Sequence, residues 1–320
     1  MPVLAALSAV LAWLGRQGAR AIAAVVFIAI AVPPFDALLK PYVPEAIFTL
    51  LFVAFVRVET ADLRSQLRKP GLLVAATVWT SLVIPALIGV ACLAVHANSR
   101  APDLFIGLML QAIASPMMAS PAFAAVMGLD TTLILTTLVA STALLPLTAP
   151  MFSSIFIGPG LTISPLALGA KLFAILAGSL LLAIVVRYFV KLSALTRYND
   201  QINGVNIILV FVFVAAVMED VAARFAAEPA MMVELAVLAF ALTFAILVLT
   251  AVVFLKAGRE PALILGLMAS QRNMGLMLAA TGGALPAMTW LYFALAQFPA
   301  YLSPLLFMSV ARRLKAGSED

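Results

Sequence analysis

Charge is what this chain most lacks. Of its 320 residues only 10% are Asp, Glu, Lys or Arg, against 65% hydrophobic residues, and its mean hydropathy is +1.16. Soluble domains carry about a quarter charged residues because their surface must meet water. A soluble globular protein is therefore excluded, and lipid is the main solvent. Cysteine is almost absent: Cys92 stands alone, which excludes an intramolecular disulfide and reads as a small buried hydrophobe. The single histidine, His96, falls in a connection between apolar runs and needs no functional role. There is no G-x-S-x-G elbow, no H-E-x-x-H metal site and no pair of mid-span aspartates. No enzymatic activity, metal or cofactor is expected on these grounds. The net charge of +5 does not indicate nucleic acid, which would need basic residues clustered on a water-facing surface.

What is present is a succession of continuously apolar runs. A transmembrane β-barrel would show alternating hydrophobicity instead, and a helical span needs ~20 apolar residues. Ten runs are expected to be spans: residues 19–39, 43–58, 71–95, 104–129, 131–157, 163–190, 202–218, 230–255, 261–285 and 287–310. Residues 3–14 are too short to span, and Arg16 and Arg20 follow rather than precede them, which argues against a cleaved signal peptide. Residues 1–18 are expected to lie at the membrane interface. Residues 19–158 then form a first five-helix repeat, 159–310 a second, inverted one, and 311–320 a cytoplasmic tail.

The basic residues test this count independently. Of the 19 Lys and Arg residues, fourteen fall in one set of alternate connections and three, Lys40, Arg100 and Arg224, in the other. Such a bias places both termini in the cytoplasm, and a bacterial inner membrane is the expected location. The remaining two, Lys171 and Arg272, fall inside spans.

Spans four and nine share an anomaly. Span four reads QAIASPMMASPAF over residues 111–123, and span nine reads LMASQRNMGLML over residues 267–278. Proline lacks an N–H and clashes with the preceding turn, so Pro116 and Pro121 should unwind the helix between them. Gln271, Arg272 and Asn273 imply the same in span nine. Unpaired backbone at that depth is tolerated only where it is buried in protein or lines a cavity. Two broken spans five apart must cross the membrane in opposite directions, the arrangement of inverted-repeat transporters whose site lies where the breaks meet.

These motifs resemble the bile acid:sodium symporter superfamily over nearly the whole chain. R-N-x-G-L at residues 272–276 is similar to that family's E-x-G-x-Q-N-x-G-L, and SPMMAS at residues 115–120 to its Pro-Gly-Gly-Thr-Ala-Ser-Asn crossover. STALLPLTAP at 141–150 and RSQLRKP at 64–70 also resemble family sequence. The resemblance implies ten helices divided into a panel (spans one, two, six and seven) and a core holding two crossing broken helices. It further implies transport of small organic anions, commonly driven by two sodium ions behind the crossover. Here the chain departs from the pattern. The family's glutamate corresponds to Met268, its glutamine to Arg272, its crossover asparagine to Pro121, and its polar third-span ligand at best to Thr77 or Thr80. In the two crossover motifs only Ser120 and Asn273 remain as polar counterparts, so both sodium sites look dismantled.

Arg272 is the leading site residue, since a mid-span arginine costs about 2.5–3.5 kcal/mol on insertion scales and faces a cavity or a partner. It is expected either to pair structurally with an acid or freed carbonyls, or to stand as a permanent cation that holds the crossover and attracts a carboxylate substrate. Asn273, Ser115, Ser120 and Gln111 are the further candidates for substrate contact, each with a structural alternative. Pro116, Pro121, Gln271 and Gly275 shape the crossover backbone. Lys171 is expected to snorkel or pair, Glu234 to lie near an outer surface, with a protonatable carboxylate coupling transport to protons as its alternative, and Asp36 to serve a helix end. The function expected is alternating-access transport of a small organic anion without sodium. Bile-acid-like, keto-acid and pantoate-like molecules fit equally, and no feature sets an oligomeric state. The alternatives are a proton-coupled or facilitative carrier of a neutral amphipathic compound, and a non-transporting membrane sensor or subunit of the same fold.

Overall fold

The computed structural model describes residues 2–18, 20–21, 24–25, 27–28, 38–57, 70–190, 192–218 and 220–316. The expected first span lies largely outside these residues, as do Asp36 and all of the RSQLRKP segment but its final proline. The protein is all-α, with no strand among the described residues beyond one isolated bridge. The principal helices are α1 (Pro2–Gln17), α2 (Val43–Arg57), α3 (Pro70–Ala94), α4 (Pro102–Ile113), α5 (Ser120–Val126) and α6 (Thr131–Phe152). They continue with α7 (Pro165–Phe189), α8 (Asn199–Val217), α9 (Pro229–Phe254), α10 (Arg259–Ser270), α11 (Met274–Thr281) and α12 (Ala287–Ala316).

The helices follow the apolar runs, and local chemistry sets their ends. Pro102 and Pro229 open α4 and α9, where a missing N–H costs nothing. The Asp130 carboxylate accepts the Thr132 N–H at 2.8 Å and caps α6. Gly282, at φ 68°, ends α11 in the left-handed conformation that glycine adopts without a Cβ penalty. Among the described residues five stretches are long and apolar enough to cross a membrane: Pro70–Ala94, Thr131–Gly160, Pro165–Phe189, Asn199–Ala227 and Pro229–Ala257. Large exposed side chains such as Leu147, Leu181 and Val252 lie on these helices. Apolar surface of that extent is what lipid covers.

The chain divides into two compact units, and α7 passes from one into the other between Phe173 and Ala174. The first comprises Met1–Val58 and Ala174–Ala227. Within it α1 lies along α8, and α2 packs on α8 as well. Gly15 faces the Asp200 carbonyl and Gly204 the Leu11 carbonyl so closely that a Cβ on either would strike backbone. Gln201 Nε2 donates to Ser8 Oγ at 3.3 Å across the same contact.

The second unit comprises Glu59–Phe173 and Glu228–Asp320. Its core joins Ala76 of α3, Ala124 of α5, Ile134 of α6, Leu247 of α9 and Ile264 of α10, with Met268 fully buried among them. Helices α9 and α10 pack closely because Gly266 has no Cβ: one placed there would sit 2.7 Å from the Leu247 carbonyl oxygen. Trp79 Nε1 donates to Thr250 Oγ1 at 2.9 Å and ties α3 to α9.

Candidate functional site

Both expected interruptions are present, and both lie in the second unit. Residues 114–119 separate α4 from α5, and residues 271–273 separate α10 from α11. The two breaks pair with each other. Pro116 and Arg272 form an antiparallel bridge in which Met117 N donates to the Gln271 carbonyl and Asn273 N to the Ser115 carbonyl, each at 2.8 Å. Backbone groups freed by the unwinding are thus satisfied by the opposite break, as a buried segment requires.

Arg272 sits at this crossing and is the one charged side chain among the buried described residues, at 2% exposure. Its Nη1 donates to the Ala114 carbonyl at 2.9 Å and to the Thr80 carbonyl at 3.2 Å. Both acceptors are free for a sequence reason. Ala114 closes α4, where the last carbonyls have no intrahelical donor. Thr80 lies in a π-bulge, Trp79–Val83, that shifts the Ile84 N–H onto the Trp79 carbonyl. The next donor in that register would be residue 85, and Pro85 has no N–H. Arg272 makes no salt bridge among the described residues, and its Nε and Nη2 are buried without a partner there. Of the two structural partners expected for it, freed carbonyls are found and an acid is not.

The other expected site residues divide into those already engaged and one that is not. The Asn273 side chain accepts the Leu276 N–H at 3.1 Å and caps α11. Ser120 Oγ donates to Gln271 Oε1 at 2.9 Å, Gln271 Nε2 donates to Ser303 Oγ at 3.0 Å, and Ser303 Oγ turns to the Ala300 carbonyl. That chain fastens the second break to α5 and α12. Gln111 Oε1 accepts the Tyr292 hydroxyl, an internal amide partner between α4 and α12. Gly275 is buried in the first turn of α11, and Pro121 stands in the first turn of α5. Ser115 is buried and its Oγ has no partner among the described residues.

Sequence reasoning missed the contribution of α3. Thr77 back-bonds to the Leu73 carbonyl, and Thr80 serves through its carbonyl rather than its hydroxyl. The signal available was Thr80-Ser81 closely followed by Pro85. Ser81 Oγ is also buried without a partner among the described residues, as are the hydroxyls of Thr137, Ser141 and Thr142 on α6. Lys171 is exposed on α7, with Nζ 3.4 Å from the position a Cβ on Gly282 would take, and Glu234 is exposed. Among the described residues no group of acidic, histidine or cysteine side chains has the geometry to hold a metal ion.

Comparison with models of known protein families finds no match, and comparison with curated proteins finds no matching sequence.

Proposed function

We propose that this chain is a secondary transporter that carries a small organic anion by alternating access, with Arg272 as a built-in cation in place of sodium. The observation that carries this reading is the antiparallel pairing of the two breaks at Pro116 and Arg272, with an acid-free guanidinium held in it. Local antiparallel pairing supports broken helices running in opposite directions, as ten spans in two inverted five-helix repeats require. The division into compact units also supports it. The first unit holds the sequence of expected spans one, two and seven and most of six, and the second holds the rest. Apart from residues 163–173 of span six, that grouping parallels the panel and core partition implied by the resemblance to bile acid:sodium symporters.

On this reading the protein resides in a bacterial inner membrane with both termini cytoplasmic. Sodium binding needs several oxygen ligands, and Met268, Arg272 and Pro121 supply none from their side chains. The carbonyls of Thr80 and Ala114, which a metal ion would otherwise attract, are taken by the guanidinium. Flux of labelled 3-methyl-2-oxobutanoate, pantoate and cholate into vesicles containing the purified chain tests the proposal. Uptake of at least one, lost in Arg272→Gln, is expected. Equal flux in protein-free vesicles for every compound would refute it.

A further inference from the structure

We propose that α7 is a hinge: it bends between Leu172 and Ser179, so that its first third moves with the second compact unit and the remainder with the first. This rests on the alternating-access reading for its purpose and on the packing of α7 for its place.

Among the described residues the chain passes between the units twice. Between Ala227 and Glu228 it does so where a short helix, Val221–Ala227, has ended and α9 has not begun, and residues at helix ends absorb a change of φ and ψ readily. Between Phe173 and Ala174 it does so inside a continuous helix of 25 residues. Motion there has to be taken up by bending the helix itself.

Each part of α7 is clasped within its own unit. Leu168 and Leu172 are fully buried, and Gly169 lies against α6 at the Pro146 carbonyl, to which Pro150 has no N–H to offer. A Cβ on Gly169 would sit 2.8 Å from that oxygen and 2.7 Å from Pro150 Cγ. Lys171 brings Nζ within 3.4 Å of the place a Cβ on Gly282 would take, at the C-terminal end of α11, the end that favours a cation. In the other part, Gly178 faces the Phe48 ring of α2, where a Cβ would lie 3.3 Å from Cε2, and Ser179 and Ala183 are fully buried. Phe173 and Ala174, between the two grips, are exposed.

The joint has the chemistry of a reversible bend. Sharp helix bends fall at proline, at Gly/Ser pairs or at π-bulges. After Pro165, which opens it, α7 has no proline, but it carries Gly178-Ser179. Ser179 Oγ donates to the Leu176 carbonyl at 3.0 Å, and such back-bonding onto the helical ladder bends helices. A proline would fix the bend, whereas glycine and serine keep every backbone N–H and let the helix straighten again. The panel implied by the family resemblance holds all of span six and would put the flexing point in the connection before Pro165. The grips on Gly169 and Lys171 put it inside α7 instead.

The test uses the full chain in lipid nanodiscs, in a Cys92→Ala background so that only introduced thiols react. Nitroxide labels at Leu147→Cys in the second unit and Tyr188→Cys in the first, both exposed positions, report distance distributions by double electron–electron resonance. Spectra are taken with and without 3-methyl-2-oxobutanoate, pantoate and cholate. More than one distance is expected. Gly178→Ala/Ser179→Ala puts the best helix former at the joint and should lower the share of the less populated distance by about fivefold. If that variant fails to fold, Ser179→Ala alone carries the test and should shift the distribution the same way. In vesicles, a rigid thiol-to-thiol bridge across Phe173→Cys and Leu180→Cys should abolish uptake, while the same bridge across Leu181→Cys and Tyr188→Cys leaves it unchanged; all four positions are exposed. A single distance in every medium, or an unaltered distribution in the folded variant, would overturn the inference. Several distances governed by Gly178 and Ser179 without flux of any anion would overturn the transport reading and leave the hinge standing. Flux that neither the substitutions nor the Phe173–Leu180 bridge alters would do the reverse.

Discussion

The guanidinium of Arg272 and the carbonyl of Ala114 meet at 2.9 Å, and each belongs to a different broken helix. A side chain from one interruption therefore satisfies an acceptor exposed by the other, while the backbones of both pair alongside. The end of α4 and the π-bulge in α3 each leave a carbonyl without its helical donor, and one terminal nitrogen serves both. The cation is held by neutral groups, so its charge remains available.

Restoring the missing donor in α3 separates structure from function. In Pro85→Ala the residue 85 N–H can reach the Thr80 carbonyl in the π register, competing with Arg272. Thermal stability in detergent is expected to stay level or rise, because a helix proline is removed, while anion uptake falls. Unchanged uptake would show that the Thr80 anchor does not matter.

The Gln271 amide depends on Ser303. Ser303→Ala leaves Nε2 buried without an acceptor and should destabilise the protein by about 1–2 kcal/mol, measured by reversible unfolding in mixed micelles. Thr243→Val is the control, since that hydroxyl only returns to its own helix at the Ala239 carbonyl. It should cost less.

Close packing behind the second break rests on Gly266. Gly266→Ala places a methyl 2.7 Å from the Leu247 carbonyl oxygen and should cost about 1–3 kcal/mol as α9 and α10 separate. Gly71→Ala, which meets nothing within 4 Å, should be neutral or slightly stabilising in the same assay.

Much of this arrangement was legible in the sequence because hydrophobic length and helix breakers are local properties. The apolar runs marked the helices, Pro116 marked one break, and Gln271-Arg272-Asn273 marked the other. Long-range facts were not legible. Nothing local shows that Pro116 lies opposite Arg272, that the Gln111 amide meets Tyr292, or that Gln271 reaches Ser303. The π-bulge escaped notice because one extra residue in a helical turn leaves hydrophobicity unchanged, so α3 offered only the hydroxyls of Thr77 and Thr80 as candidates. Asn273 was open between ligand contact and backbone satisfaction, and its side-chain oxygen caps α11. A capping asparagine just before an apolar run is a recognisable helix start, masked here by the longer run in which it sits.

On the proposed transport function, Arg272 stands where a driving sodium ion would otherwise bind. The most direct test of this is uptake of a labelled organic anion, of the kind named above, into vesicles containing the purified chain, with sodium in the medium replaced completely by choline. Equal uptake in the two media, lost in Arg272→Gln, is the expected result. Uptake that vanishes in choline would contradict it.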